Sequence, residues 1–178
     1  MKMSHIDSVR KKFARTLFLL GQLKHYVSID CRKMFFNANL PPYIDYASTL
    51  WRNANEVHQK KLNSLYRRAA KLILLEQSLS TTAKLKKKLD ILPLQKQFMY
   101  NTAVLMFKVH MGLTPRYISD LLNRAPVRYG SNDCALSRTR IDFYKTRFAF
   151  SGPSVWNSLS PKMKTYKSVR GFKILMDK

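Results

Sequence analysis

Acidic side chains are scarce in this chain: ten Asp and Glu stand against 33 Lys and Arg, and the formal net charge is +23. Those ten are Asp7, Asp30, Asp45, Glu56, Glu76, Asp90, Asp120, Asp133, Asp142 and Asp177, and none adjoins another. Two-metal polymerase or nuclease chemistry needs carboxylates gathered within reach of the ions, so no local stretch offers it. "YIDYAS" at 43–48 has one acid where a polymerase box needs two, and it follows two prolines in helix-like sequence. Glycine is nearly as rare, with five residues, which leaves little material for a phosphate-cradling loop. There are two cysteines, Cys31 and Cys134, 103 positions apart and in no CxxC pair. They exclude a disulfide framework, and with His5, His25, His58 and His110 scattered they form no zinc motif. Neither a cofactor nor a metal is expected.

Long apolar runs are also missing. The most apolar uncharged stretch, "QFMYNTAVLMF" at 97–107, is eleven residues, whereas a spanning helix needs about twenty. The start of the chain is basic, but its "LFLL" is too short for a secretory h-region. An intracellular protein, nuclear or cytoplasmic, without a membrane partner is expected.

What the chain does have is charge on a potential core. Residues 1–90 carry 18 basic and 6 acidic side chains, and residues 91–178 carry 15 and 4, so both halves are cationic. A surplus carried by the folded body rather than by a tail favours a polyanion, above all nucleic acid. The 46% hydrophobic content permits a real core.

Apolar periodicity predicts helices. Val9, Phe13, Leu17, Leu20 and Leu23 line one face of residues 6–25. Ser28 and Asp30 can open a second helix, and Pro41-Pro42 a third that ends near Trp51. Residues 55–75 place Leu62, Leu65, Ala69, Leu72 and Ile73 on one stripe, opposite Lys60, Ser64, Arg67, Arg68 and Lys71, with Asn55 as the N-cap. A short helix covers "TTAKLKKKLD". The next, 94–111, is apolar nearly all round, as the centre of a bundle would be, and Gly112 is its C-terminal cap. "TPRYISDLL" gives another after Pro115.

From about residue 123 the texture changes to turn formers and short alternation, Ile141 with Phe143 and then Phe148 with Phe150, which predicts a loop and short strands. Trp156 follows a Gly152-Pro153 turn. Its cluster with Phe148 and Phe150 reads as core before it reads as a base-stacking platform. A last helix carries Val169, Phe172 and Leu175 or Met176. The predicted fold class is mostly α: a basic, thumb-like helical bundle over 1–122 and a small aromatic-rich α+β appendage over 123–178.

The order of motifs resembles the thumb and post-thumb region of LINE-type, non-LTR retrotransposon reverse transcriptases. The resemblance rests on Pro42, Asp45, Tyr46 and Trp51; on Leu62, Arg67, Arg68 and Ala69; on Leu92, Pro93 and Leu94; and on Phe148, Phe150, Ser151, Trp156, Asn157 and Leu159. It spans roughly residues 6–177, with Ser160 inserted where the family pattern ends in a simple Leu-Pro. It does not include the palm with its catalytic aspartates, the fingers or an endonuclease. It therefore implies a parent that is an RNA-directed DNA polymerase, and a chain that is a non-catalytic piece of one.

The expected function is sequence-independent binding of nucleic-acid backbone, RNA or DNA, with the palm and fingers of a reverse transcriptase as a further partner and no small-molecule substrate. The expected contacts are Lys60, Lys61, Arg67, Arg68, Lys71, Lys86, Lys87, Arg138, Arg140, Lys145 and Arg147. The alternatives are a structural relic or protein-interaction fragment with no binding activity, and a peripheral membrane binder using helix 6–25.

Overall fold

The computed structural model describes residues 2–39, 41–45, 56–75, 89, 93–123, 133–136, 145 and 147–176. These residues are mostly helical, as the sequence predicts, and no extended strand occurs among them. They fall into two compact units, divided within one helix at Gln97 and Phe98.

The first unit holds α1 (Lys2–Leu23), α2 (Ile29–Asn39), α3 (Pro41–Asp45) and α4 (Glu56–Leu74). Helix α1 packs along α4, and α2 packs against α3 and α4. The interior is what the periodicity requires. Val9, Phe13, Leu17 and Leu20 of α1 meet Leu62, Tyr66, Ala69, Ala70 and Ile73 of α4, with Phe36 from α2, and all are buried. Each large side chain taken out of water contributes about 1.5–3 kcal/mol. Tyr66 is the hub, its ring 5.5 Å from Phe36 in an edge arrangement and 6.5 Å from Phe13.

The helix ends have identifiable partners. The Ser28 hydroxyl accepts a hydrogen bond from the Cys31 amide at 3.3 Å, the N-cap expected for α2. Buried Arg32, 7% exposed, donates from Nη1 to the Lys24 carbonyl at 3.0 Å, just beyond α1, where the helix dipole favours a cation. Helix α4 stops at Leu75, whose φ of 56° is a left-handed conformation that a side chain adopts only at a cost. Gln95 and Gln97, at the start of the next helix, donate to Gln59 at 2.9 Å and Asp45 at 3.1 Å.

The second unit holds most of α5 (Leu94–His110), with α6 (Arg116–Asn123), α7 (Phe148–Asn157), α8 (Pro161–Lys164) and α9 (Val169–Met176). Its core gathers Ala103, Val104, Met106, Phe107, Leu122, Val155, Trp156 and Phe172. Phe107 stacks on Phe172 with centroids 4.5 Å apart, and His110 stacks on Trp156 at 4.4 Å. Helix α5 is less completely enclosed than its composition predicts, because Met99 is exposed. Its end is the expected glycine cap. Gly112 has φ +67°, its amide donates to Val109 O at 3.0 Å, and the Leu113 amide donates to Lys108 O at 2.9 Å, together a Schellman motif.

One sequence expectation is overturned. Phe148 and Phe150 lie in helix α7 rather than in a strand, and Gly152-Pro153 sits inside that helix rather than in a turn. Alternation over so few residues does not separate a strand from a helix. What decides is the longer spacing: Phe148, Gly152, Val155 and Trp156 share a helical face. A Cβ on Gly152 would meet Met106 Sδ at 2.8 Å, so the missing side chain permits the close approach of α7 to α5. Pro153 costs the bond that Ala149 O would otherwise accept, and the burial of Ser151 through Pro153, Val155 and Trp156 offsets it. The strand expected at Ile141 and Phe143, the short helix over 81–90 apart from buried, helical Leu89, and the helix end near Trp51 lie outside the described residues.

Candidate nucleic-acid interface

Helix α4 separates its two faces cleanly. With 3.6 residues per turn, the buried Leu62, Tyr66, Ala69, Ala70 and Ile73 cover an arc of about 100°. Ser64, Arg68 and Lys71 lie within about 30° of the opposite direction, with Lys60, Lys61 and Arg67 flanking them, and all six are exposed. Lys61, Arg67, Arg68 and Lys71 form no ion pair among the described residues. No acid occurs in the sequence between Glu56 and Glu76. At a rise of 1.5 Å per residue, the five cations span about 16 Å, a mean axial spacing of ~4 Å. One strand of B-DNA carries one phosphate per ~3.4 Å.

The face presents only extended cations and one hydroxyl, because the sole aromatic of α4, Tyr66, is turned inward. Burial, reinforced by the negative charge of Asp45, pushes the Tyr66 phenol above its usual range and keeps it neutral beneath the cationic surface. Such a surface offers positive charge and no ring or amide fork with which base edges are read.

Of the remaining predicted contacts, Lys145 and Arg147 are exposed in the second unit. Arg147 is the N-cap of α7, and its carbonyl accepts the Phe150 and Ser151 amides at 3.0 and 2.9 Å. Lys86, Lys87, Arg138 and Arg140 lie outside the described residues.

The aromatic cluster is interior, as the favoured reading has it. Trp156 is 1% exposed, while Phe148 and Phe150 are half-buried. The next residue, Asn157, clamps a passing segment: its Oδ1 accepts the Cys134 amide and its Nδ2 donates to the Cys134 carbonyl, both at 2.8 Å. Lys164 closes the same junction. Its side chain is 5% exposed, and Nζ pairs with Asp133 Oδ1 at 2.5 Å and donates to Asn157 O at 3.3 Å. Lys164 is therefore structural, whereas Lys162 is on the surface. Burial and the Asp133 carboxylate push the Cys134 thiol up, away from a reactive thiolate.

Among the described residues no three potential metal ligands come together, and no helix is long and apolar enough to cross a membrane. No protein-family profile, curated protein or solved structure matches the chain.

Proposed function

We propose that the chain is a non-catalytic piece of a non-LTR retrotransposon reverse transcriptase, and that it binds nucleic-acid backbone without regard to sequence through the outward face of α4. The carrying observation is the composition of that face: five exposed cations opposite a buried stripe, at a mean axial spacing of ~4 Å, comparable with the ~3.4 Å between phosphates along one strand of a duplex. The motif order from Pro42 to Leu159 supports the parentage. A mostly helical, basic unit is the kind of element that holds a duplex by its backbone, which supports the thumb-like reading.

The test is affinity for a duplex of arbitrary sequence over a salt series. Wild-type affinity falls steeply as salt rises. Replacing Lys60, Arg67, Arg68 and Lys71 by Ala together flattens the slope of log K against log salt by about 3.6 on a B-DNA duplex. Salt-independent affinity, or an unchanged slope in the variant, overturns the reading.

A second reading is favoured by a different surface. Phe18, Leu19, Tyr26 and Met34 of the first unit are all exposed, and such groups, where they adjoin as one patch, mark a protein contact surface. A protein-interaction fragment without nucleic-acid affinity would self-associate in light scattering and show no salt-dependent binding.

A further inference from the structure

The C-terminal helices carry a second cationic surface, and this one has an aromatic ring in it. Between Asp142 and Asp177 the sequence contains no acid. Within that stretch Lys162, Lys167, Arg170 and Lys173 are exposed, and none is paired with a carboxylate among the described residues. Tyr166 stands in the middle of this run, in the turn between α8 and α9, and is 43% exposed.

The ring is held in place. The Cδ1–Cε1 side of Tyr166 lies so close to Gly171 that a Cβ there would meet both atoms at 2.7 Å. Gly171 itself is fixed in the first turn of α9, its amide donating to the Ser168 hydroxyl at 3.1 Å. Helical spacing puts exposed Ile174 on the same side of α9 as Gly171, with Arg170 about a quarter-turn away. The result is a seated aromatic with part of its surface open to water, next to Lys167 in the chain. Packing has already removed the ring's freedom, so contact with a flat ligand costs little further ordering.

We infer that Tyr166, with Lys162, Lys167 and Arg170, forms a stacking site for an unpaired nucleotide base, with the cations on the flanking phosphates of a single strand. This rests on the polyanion-binding reading above but assigns a different unit and a different ligand form. The face of α4 offers only charge, whereas the Tyr166 surface offers charge and a π-face, the combination that single strands require.

The test compares full-length chain binding to a strand of about 12 thymidines, within the ~4–16 nucleotide footprint of such sites, with an abasic strand of equal length and charge. Wild type binds the base-bearing strand more tightly, by about 5- to 150-fold per stacked base. Tyr166→Ala abolishes that ratio, and Tyr166→Phe keeps it. Replacing these three cations by Ala flattens the single-strand salt slope by about 2.1. The α4 quadruple variant lowers duplex affinity and leaves the base-to-abasic ratio as in wild type, which separates failure of the two sites. Equal wild-type affinity for the two strands, or a ratio that survives in Tyr166→Ala, overturns the inference.

Discussion

Lys164 and Asp133 form one ion pair, yet losing either partner should have unequal consequences. The ammonium group is in a site only 5% exposed, while the carboxylate is 42% exposed. Asp133→Ala leaves a buried cation whose one remaining partner is Asn157 O at 3.3 Å. Cutting one partner from a fully buried pair costs about 3–5 kcal/mol; since Asp133 already meets water, about 2 kcal/mol is expected here. Lys164→Met keeps the apolar stem and removes the charge, leaving a carboxylate that water solvates and one uncapped helix carbonyl. Its cost is about 1 kcal/mol or less. With Lys164 already replaced, adding Asp133→Ala should change stability by less than ~0.5 kcal/mol, because the stranded charge is gone. The measurement is urea unfolding followed by Trp156 fluorescence in a Trp51→Phe background, which silences the second of the two tryptophans. Lys164→Met proving as damaging as Asp133→Ala, or additive losses in the double variant, would refute the reasoning.

His110 supplies a pH dependence to the same unit. Burial against Trp156 lowers its pKa, its backbone hydrogen bond with Met106 opposes this, and the Lys164 charge lowers it further. The unfolded chain therefore takes up the proton more readily. Stability is full above the unfolded pKa near 6.5 and falls as pH drops through that value toward the folded one. His110→Gln should remove this component from unfolding curves collected between about pH 5 and 7.5. Gly152→Ala sets two effects against each other. Alanine gains about 1 kcal/mol of helix propensity, but its Cβ would press on Met106 Sδ at 2.8 Å, and fully buried Met106 has little room to yield. Overpacking costs about 1–3 kcal/mol, so net destabilisation of roughly 1 kcal/mol is expected, read as a lower urea midpoint.

Much of the first unit is legible in the sequence because its helices are amphipathic with regular spacing. Val9, Phe13, Leu17 and Leu20 announce α1, and Leu62, Ala69 and Ile73 announce the inner face of α4 and so, by opposition, its cationic outer face. Tyr66 escapes because a phenol has no fixed side in a helical pattern; only the rings of Phe13 and Phe36 around it make it core. Helix α7 escapes for a stronger reason. Gly and Pro together read as a turn, and the advantage of Gly152 within a helix exists only once Met106 lies against it. The roles of Asn157 and Lys164 are equally hidden, since their partners Cys134 and Asp133 are more than twenty residues away in the chain. Tyr166 carries a readable signal, an aromatic among cations, but its seat on Gly171 is tertiary.

The scarcity of acid connects the fold to the proposed binding. Among the described residues, Asp7 is taken by Arg10 at 2.8 Å, Asp133 by Lys164, and Asp45 receives the Gln97 amide. These three carboxylates are thus engaged in local contacts, and none of them pairs with Lys61, Arg67, Arg68 or Lys71 of α4 or with the exposed cations from Lys162 to Lys173. A chain at +23 pays for that arrangement in self-repulsion, which opposes compaction. A polyanion on these faces relieves the repulsion and stabilises the folded state by mass action, so folding and binding draw on the same cations. That coupling gives the charge surplus a physical use that a solvated surface alone does not.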